Sequence, residues 1–448
     1  MRRPGDILRG ISRARQSVAL YGADHPVATQ TIGDVHAVTE PFLEERPLLR
    51  FVIHDDTFYI GKTVMLDESL RLSPFLEDLR KREIGVMELH EGLERWELAR
   101  FAEALNVRPE EISRRGGVAA QLAEKGVRRI VVGAAHASVA DEHVEIRVDA
   151  GDVYRAALRV VDDLYFKASR DLPLDLRMAS TAVASFIDLL AQDRAALLGV
   201  AILRHYDEDT YHHCVKVCLL SLMMGMHLGM DRSLLITLGL AALLHDIGKV
   251  RVPPEILAKT GQLTTEEREI VKRHTLYGAH LLRNLSGVTR LAMVVAFEHH
   301  VNFDLSGYPR IVTKDMPHLL TRIVQPAEVF DAATSAQRAY RAPLVPHEAM
   351  RLILRASGTI FDPVLARAFV RVMGLYPVGS VVELHSGELA LVVRPGVEDT
   401  ARPLVKIITN TEGAPVEAFT VNLEEEAERR IIQAVDPQQA PIDGLLSP

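Results

Sequence analysis

Apolar and polar residues follow two different spacings in the first third of the chain. Some stretches repeat apolar residues every three or four positions, which matches one face of a helix, and others alternate as one face of a strand does. We therefore predict an α/β domain over residues 1–150 with a regulatory or dimerisation role. The predicted helices are Asp6–Ala19, Leu76–Arg82 and Leu93–Leu105; the predicted strands are a hairpin over Leu49–Ile60, Val86–Leu89 and Ile130–Val132.

The helical spacing dominates residues 151–375, where we predict an all-α bundle. The predicted helices are Val153–Tyr165, Arg177–Gln192, Cys214–Leu228, Leu234–His245, Thr265–Leu282 and Thr289–His300. Over residues 376–448 the pattern changes to short strands separated by glycine, which predicts a small β appendage. Its predicted strands are Ser380–Glu383, Leu389–Val393 and Leu404–Ile408, followed by an acidic helix or tail and a disordered Pro/Gln-rich end.

The amino-acid composition and net charge limit the kinds of protein that this chain can be. Of 448 residues, 48% are hydrophobic and 25% charged, and the net charge of −8 disfavours non-specific binding to nucleic acid or anionic membranes. The chain begins without the apolar run of a signal peptide. Neither half of the apolar region Cys218–Leu244, interrupted at Asp231, reaches the ~20 residues of a membrane span. The two cysteines, Cys214 and Cys218, suit buried free thiols better than a thiolate metal pair, so we expect a cytoplasmic protein.

Histidines and carboxylates recur in the helical region about one helix apart, so a bundle can direct them to one interior point. This series comprises His213, His245, Asp246, His274, His299, His300, Glu328 and Asp331. Neighbours on a helix diverge by about 100°, so adjacent ligands require a helix end or two ions. Asp246 is the natural bridge between two ions, and imidazole with carboxylate suits iron, manganese or zinc. Other histidines fit ordinary core or surface roles: His25, His205, His212, His227 and His280.

Several local motifs together resemble the HD-GYP family of cyclic di-GMP phosphodiesterases. They are Leu243–Lys249, Ile256–Leu263, His274 with Gly278, His299–His300, Asp304–Pro309, Arg322–Ile323, Phe330–Ala332 and Arg338–Arg341. The resemblance extends from Asp207 to Met373 and leaves the N-terminal region and the β appendage outside it.

The resemblance implies a set of site residues. Its metal ligands are His213, His245, Asp246, His274, His299, His300 and Glu328, and a third ion could use Asp209. Asp246 and Lys249 would be catalytic, and the substrate would contact Lys249, Gly307, Tyr308, Pro309, Arg338 and Arg341. The implied cofactor is a pair of divalent ions, iron or manganese before zinc.

The implied reaction is hydrolysis of cyclic di-GMP to pGpG or GMP by metal-activated hydroxide in bacterial signalling. Two alternatives stay open: a catalytically weak sensor that binds a cyclic dinucleotide or a partner protein, and a phosphohydrolase for another nucleotide. A further alternative is a scaffold protein that uses the helices only for interaction. Signalling partners and a homodimer are expected by analogy, while nucleic acid polymers and membranes are not.

Three positions depart from the family pattern. Val301 stands where the family usually has glutamate after the double histidine, Leu305 where it has glycine, and Glu328 where it has aspartate. Leucine at a glycine position restricts the loop, because glycine has more backbone freedom than any other residue. Nearly every other ligand is retained, so we expect an intact metal site with an altered substrate or a slower turnover.

Overall fold

The structure is a computed structural model of the whole chain. It describes residues 4–54, 57–61, 63–133, 150–192, 197, 210–283, 285, 290–311, 315–335, 343–426 and 428–436. The chain divides into two compact units, Met1–Val153 and Tyr154–Pro448. The expected fold class is confirmed: a mainly α protein with an HD-type helical bundle, an N-terminal α/β region and a small C-terminal β-sheet.

The first unit combines helices with a five-stranded antiparallel sheet. Its helices are α1 Pro4–Tyr21, α2 Pro26–Glu45, α3 Leu66–Arg71, α4 Ser73–Lys81, α5 Arg95–Asn106, α6 Pro109–Arg114 and α7 Gly117–Glu124. Its strands are β1 Leu48–His54, β2 Thr57–Ile60, β3 Thr63–Val64, β4 Val86–His90 and β5 Ile130–Gly133, in the order β3-β2-β1-β4-β5. Alternate strand residues such as Phe51, Met87 and Leu89 are buried with Leu8 of α1 in one apolar core.

Helix α2 was not predicted from the sequence. His25 caps its first turn by accepting a hydrogen bond from the Val27 N–H at Nδ1, 3.3 Å away, and its ring stacks on Tyr21. Pro26 at the first helical position adds a second start signal. His25 is therefore a capping residue.

The second unit begins with a long series of helices. They are α8 Ala150–Ser169, α9 Arg177–Gln192, α10 Thr210–His227, α11 Arg232–Leu244, α12 Pro254–Leu257, α13 Thr265–Lys272, α14 His274–Arg283, α15 Arg290–Glu298, α16 Leu319–Thr334, α17 Pro346–Arg355 and α18 Pro363–Met373. A short 3₁₀ helix, Ile247–Arg251, follows α11. Helices α10 and α11 are buried along most of their length and form the centre of the bundle.

The single helix predicted over Thr265–Leu282 is wrong, because the chain forms α13 and α14 with a break at Arg273. His274 Nδ1 donates to the Val271 carbonyl at 2.6 Å, and Thr275 Oγ1 donates to the Lys272 carbonyl at 3.1 Å. These side chains bond carbonyls that a continuous helix would pair with backbone N–H groups. The break places His274 at a helix start.

The chain ends in a second five-stranded antiparallel sheet. Its strands are β6 Val381–Leu384, β7 Leu389–Arg394, β8 Leu404–Thr409, β9 Pro415–Asn422 and β10 Ile431–Val435, in the order β10-β6-β7-β8-β9. The predicted acidic helix or tail is wrong: a turn after β9 leads into β10, which pairs with β6. The Pro/Gln-rich end lies outside the described residues.

The apolar segment Arg232–Arg251 is longer than the apolar runs recognised from the sequence in this region. It spans 20 residues and is long and apolar enough, by composition alone, to cross a membrane. However, 72% of its most apolar window is buried inside the protein, and it contains His245 and Asp246. It is a core element of the bundle.

Two glycines bring the 3₁₀ helix and α14 into backbone contact. A Cβ added to Gly248 would lie 1.9 Å from the His274 carbonyl oxygen and 2.4 Å from the Gly278 nitrogen. Because backbone atoms cannot turn aside as a side chain can, only glycine fits. This contact fixes the separation between the His245–Asp246 pair and His274.

We predict that Gly248→Ala destabilises the helical unit by about 2 kcal/mol or more, since the added methyl group overpacks against backbone. Urea denaturation followed by circular dichroism measures the change. The matched control is Gly261→Ala, whose new Cβ would have nothing within 4 Å. Equal midpoints for the two variants would contradict the close backbone contact.

Candidate metal centre

Asp246 lies at the centre of a buried group of imidazoles. Its carboxylate oxygens are 3.3 Å from His274 Nε2, 3.4 Å from His245 Nε2, 3.7 Å from His299 Nε2 and 3.9 Å from His213 Nε2. Asp246 is 1% exposed and His245 is fully buried. Four separate helix or loop segments therefore meet at one carboxylate.

Helix ends supply these residues. His245 follows the last residue of α11, Asp246 precedes the 3₁₀ helix, His274 begins α14, and His299 and His300 follow α15. Because backbone direction changes at a helix end, two adjacent side chains can face one site there. The buried Glu298 carboxylate accepts hydrogen bonds from the His318 N–H at 2.8 Å and from Thr321 Oγ1, which ties the end of α15 to the start of α16.

Hydrogen bonds at Nδ1 orient four of the rings. His245, His274 and His299 each have a backbone carbonyl at hydrogen-bond distance from Nδ1: Ala242 at 2.7 Å, Val271 at 2.6 Å and Ala296 at 3.0 Å. A carbonyl only accepts, so each Nδ1 carries the proton and each Nε2 presents a lone pair. Anchoring one ring nitrogen in this way is the usual arrangement of metal-binding histidines.

The fourth ring is held by a carboxylate. His213 Nδ1 donates to Asp331 Oδ2 at 2.7 Å, and Lys216 Nζ lies 3.6 Å from the other oxygen. Burial would raise the pKa of Asp331, but the His213 hydrogen bond and the nearby positive charges lower it below its ordinary value. The ionised carboxylate makes His213 a stronger electron-pair donor at Nε2.

The donor set fits divalent cations. His274 Nε2 and His299 Nε2 lie 3.1 Å apart with both lone pairs facing inward, an arrangement that a cation between them would stabilise. Among the described residues, His245 Nε2 and Asp246 Oδ1 are buried without a hydrogen-bond partner. Buried polar atoms rarely remain unpaired, so these atoms need a ligand such as a metal ion.

Three overlapping sets of ligand atoms lie within 4.8 Å of one another. They are His213 with His245 and Asp246, His274 with His299 and His300, and His245 with His299 and Glu328. Every residue named from the sequence as a metal ligand falls in one of these sets, apart from Asp209, which lies outside the described residues. Glu328 Oε1 lies 3.6 Å from His300 Nδ1, so the longer glutamate reaches the cluster.

The electrostatics keep the cluster ready to bind cations. Burial would raise the pKa of Asp246, but the positive charge of Lys249 lowers it well below its ordinary value. Burial lowers the pKa of His274 to about 3 and that of His300 well below its usual range. At neutral pH the carboxylate is therefore ionised and these two rings are neutral, as metal ligands must be.

Lys249 forms an ion pair with Asp246 at this centre. Its Nζ lies 2.5 Å from Asp246 Oδ2. Burial would lower its pKa, but the Asp246 carboxylate raises it, so the ammonium stays charged. The side chain remains 28% exposed and can approach an anionic ligand.

A pocket of about 220 Å³ adjoins the histidines. Its walls include His299, His300 and Tyr308 from the loop after α15, Gln325, Glu328 and Val329 from α16, and Ile360 and Phe361 from the loop before α18. The Tyr308 ring packs on the His300 ring with centroids 4.5 Å apart, and Lys272 Nζ lies 5.6 Å from the Tyr308 centroid. One wall of the pocket is therefore attached directly to the metal centre.

The pocket loop carries a non-glycine residue in left-handed backbone. Leu305 has φ of +65°, at the position where the family has glycine. The loop is closed by a Val301–Gly307 bridge and by Asn302 N–H donating to the Ser306 carbonyl at 2.8 Å. Phe303 and Asp304 N–H groups donate to the Ile360 and Thr359 carbonyls. These bonds hold Leu305 in a conformation that costs ~1 kcal/mol.

Several residues selected from the sequence lie outside the cluster of metal-ligand sets or outside the described residues. Asp209, Arg338, Arg341 and His205 lie outside the described residues. Gly307 and Tyr308 line the pocket, and Pro309 follows Tyr308 through a cis peptide bond. Cys214 and Cys218 are free and buried, and Cys214 lies 3.1 Å from the Tyr165 hydroxyl. Gln325, for which no sequence pattern indicated a role, also lines the pocket.

We predict that Asp331→Ala weakens metal binding roughly 10- to 100-fold, because His213 loses the partner that orients it. Competition with a chelator of known affinity measures the change. Asp331→Asn should lose less, since its amide oxygen can still accept from Nδ1. The control is Asp188→Ala, which removes an exposed partner of Arg232. Affinity unchanged in Asp331→Ala would refute the orienting role.

For Leu305 we predict that the glycine variant is more stable than the alanine variant by about 1 kcal/mol, because only alanine retains the left-handed strain. Glycine is normally the less stable of the two at ordinary backbone angles. Comparing urea midpoints of Leu305→Gly and Leu305→Ala measures the order. The normal order would contradict the positive φ.

Known proteins share this combination of helices and motifs. A family model for the HD domain matches residues 187–365. The chain is 35% identical over 297 residues to the cyclic di-GMP phosphodiesterase PA4108 of Pseudomonas aeruginosa, which covers 66% of this chain and 71% of that protein. It is 38% identical over 166 residues to a cyclic di-GMP phosphodiesterase of Thermotoga maritima, covering 37% of this chain and 45% of the relative.

Two further proteins are similar. A 3′3′-cGAMP-specific phosphodiesterase of Vibrio cholerae is 36% identical over 168 residues, covering 38% of this chain and 36% of the relative. Bd1817, an HDG"Y"P protein from Bdellovibrio bacteriovorus, aligns over 72% of this chain and 93% of its own at 16% identity. The TM-score of this alignment is 0.43.

Proposed function

The chain belongs to the HD-GYP family of HD-domain phosphohydrolases, and from that premise we propose that it hydrolyses cyclic di-GMP. The observation that carries the proposal is the convergence of four Nε2 atoms and the Asp246 carboxylate beside an open pocket. Such a site suits phosphoryl transfer, where positioning and electrostatics supply most of the catalysis. The two relatives named as cyclic di-GMP phosphodiesterases support this substrate.

We further propose that the centre takes two divalent ions, iron or manganese before zinc. His213, His245 and Asp246 would hold one, and His274, His299 and His300 the other, with Glu328 beside both sets. Bound divalent ions supply Lewis acidity, which activates water and stabilises negative charge on phosphoryl oxygens. Imidazole and carboxylate ligands without thiolate favour these metals.

The protein's own groups position the substrate. Lys249 brings a charged ammonium beside Asp246, where it can neutralise a non-bridging phosphate oxygen. Tyr308 and Gly307 form the pocket wall next to His300, and the proposed Arg338 and Arg341 contacts would add charge for the second phosphate. Water adds to phosphorus and the 3′ oxygen leaves with a proton, so the product is pGpG, or GMP after a second cleavage.

A second candidate substrate is another 3′3′-linked cyclic dinucleotide. Similarity to a 3′3′-cGAMP-specific phosphodiesterase favours it, and Val301, Leu305 and Glu328 alter the loop and ligand positions around the pocket. A sensor with slow turnover remains the alternative that the same departures favour. Comparing hydrolysis of the three cyclic dinucleotides with their binding distinguishes these functions.

For the rest of the chain we propose a regulatory role for the first unit, through dimerisation or a signalling partner, on analogy alone. We also propose a cytoplasmic location, because both cysteines are free and buried as in proteins of a reducing compartment. A third ion at Asp209 remains part of the proposal from family resemblance.

We predict that Asp246→Ala abolishes metal binding and lowers hydrolysis of cyclic di-GMP at least about 10³-fold, since it removes the ligand shared by the histidines. Purified protein loaded anaerobically with iron or manganese is assayed for turnover and metal content in the same sample. Asp163→Ala, which removes an exposed partner of Lys167, serves as the control. Hydrolysis persisting in Asp246→Ala would sink the metal-dependent mechanism.

A further inference from the structure

Gln325 is a buried amide at the edge of the metal centre. It lies on α16, one turn before Glu328, and is 3% exposed. Its side chain lines the pocket together with His299 and Tyr308. None of the functions proposed for the other site residues involves Gln325.

The amide nitrogen of Gln325 has hydrogen-bond partners, and among the described residues its oxygen has none. Nε2 donates to the Val301 carbonyl and lies 3.4 Å from the His299 carbonyl. These two acceptors fix which end of the amide is nitrogen. Oε1 is then a buried acceptor without a hydrogen-bond partner among the described residues. Such an oxygen requires a donor, from either a ligand or a water molecule.

The position of the amide limits which donor of a nucleotide can reach it. Gln325 bonds the backbone at His299 and Val301, and the His299 ring belongs to the cluster where the scissile phosphate would be held. The group next to that phosphate in a cyclic dinucleotide is a ribose, whose 2′-hydroxyl is a donor. The bases are attached farther from the phosphate than this hydroxyl is.

Several other pocket walls are apolar or have contacts of their own. Val329 and Phe361 are apolar, Asn302 Nδ2 already donates to Ser306 Oγ, and Glu328 faces His300. At position 301 the chain has valine in place of the family's glutamate, so no side-chain carboxylate is offered there. The Gln325 amide therefore supplies a polar side chain next to position 301.

We propose that Gln325 is a substrate-binding residue whose Oε1 accepts a hydrogen bond from the ribose 2′-hydroxyl beside the scissile phosphate. The proposal rests on the proposed function, because it assumes a ribonucleotide at the metal centre. It assigns recognition of ribose to a residue on α16.

The test compares cyclic di-GMP with its 2′-deoxy counterpart in wild-type protein and in Gln325→Met, which keeps the length of the side chain and removes the acceptor. We expect wild-type kcat/KM to favour the ribose substrate roughly tenfold and Gln325→Met to reduce that preference to about unity. The change in the ratio is the measured quantity, because deoxygenation by itself alters the sugar and the leaving group. Gln325→Asn, a shorter amide, should retain part of the preference.

The control is Gln121→Met, a buried glutamine in α7 of the first unit, which should keep the wild-type ratio. Equal loss for both substrates in Gln325→Met would mean a purely structural role and overturn the proposal.

Binding of both nucleotides to metal-loaded protein is measured by calorimetry in parallel. A ribose preference in binding that Gln325→Met removes would support the inference even without turnover, while the hydrolytic function would fail. Turnover with an unchanged ratio would overturn the inference alone, and absence of both turnover and binding would overturn both.

Discussion

The helical unit depends on one constraint: several imidazole rings must be held with their Nε2 atoms facing inward. Each of His245, His274 and His299 is fixed by a backbone carbonyl at Nδ1, and His213 by the Asp331 carboxylate. The inward-facing lone pairs and the Asp246 charge oppose folding unless cations join them. We therefore regard the centre as a source of local instability in the metal-free chain that the surrounding apolar core must offset.

The rest of the bundle provides rigid positions for these rings. Helix ends meet at the centre, and two contacts fix how neighbouring elements sit there. Gly248 lets the 3₁₀ helix touch α14 through backbone atoms, and Glu298 joins the end of α15 to the start of α16. Because α16 also carries Gln325 and Glu328, the same connection positions the pocket wall.

The sequence was informative where a pattern has a single physical meaning. Helical spacing identified the bundle, and the motif around His245–Asp246 indicated which histidines would converge. It was less informative where side chains replace backbone bonds, as at His274 and Thr275, which end one helix and start another. No helix was predicted for α2, α3, α6, α7, α12 or α16 to α18, and no strand for β3, β9 or β10. Gln325 could not be selected in advance, because its unpaired oxygen is visible only once its nitrogen has found the Val301 carbonyl.

The packing of Tyr308 on His300 connects two equilibria. One ring belongs to the pocket loop and the other to the metal centre, with centroids 4.5 Å apart. If a bound metal orients His300 and thereby orders Tyr308, it lowers the free-energy cost of ordering the loop. By linkage, a ligand that orders the loop raises the affinity for the metal by the same free energy. Metal identity and substrate preference are then coupled variables, so a substrate profile measured with one metal describes that metal form of the protein.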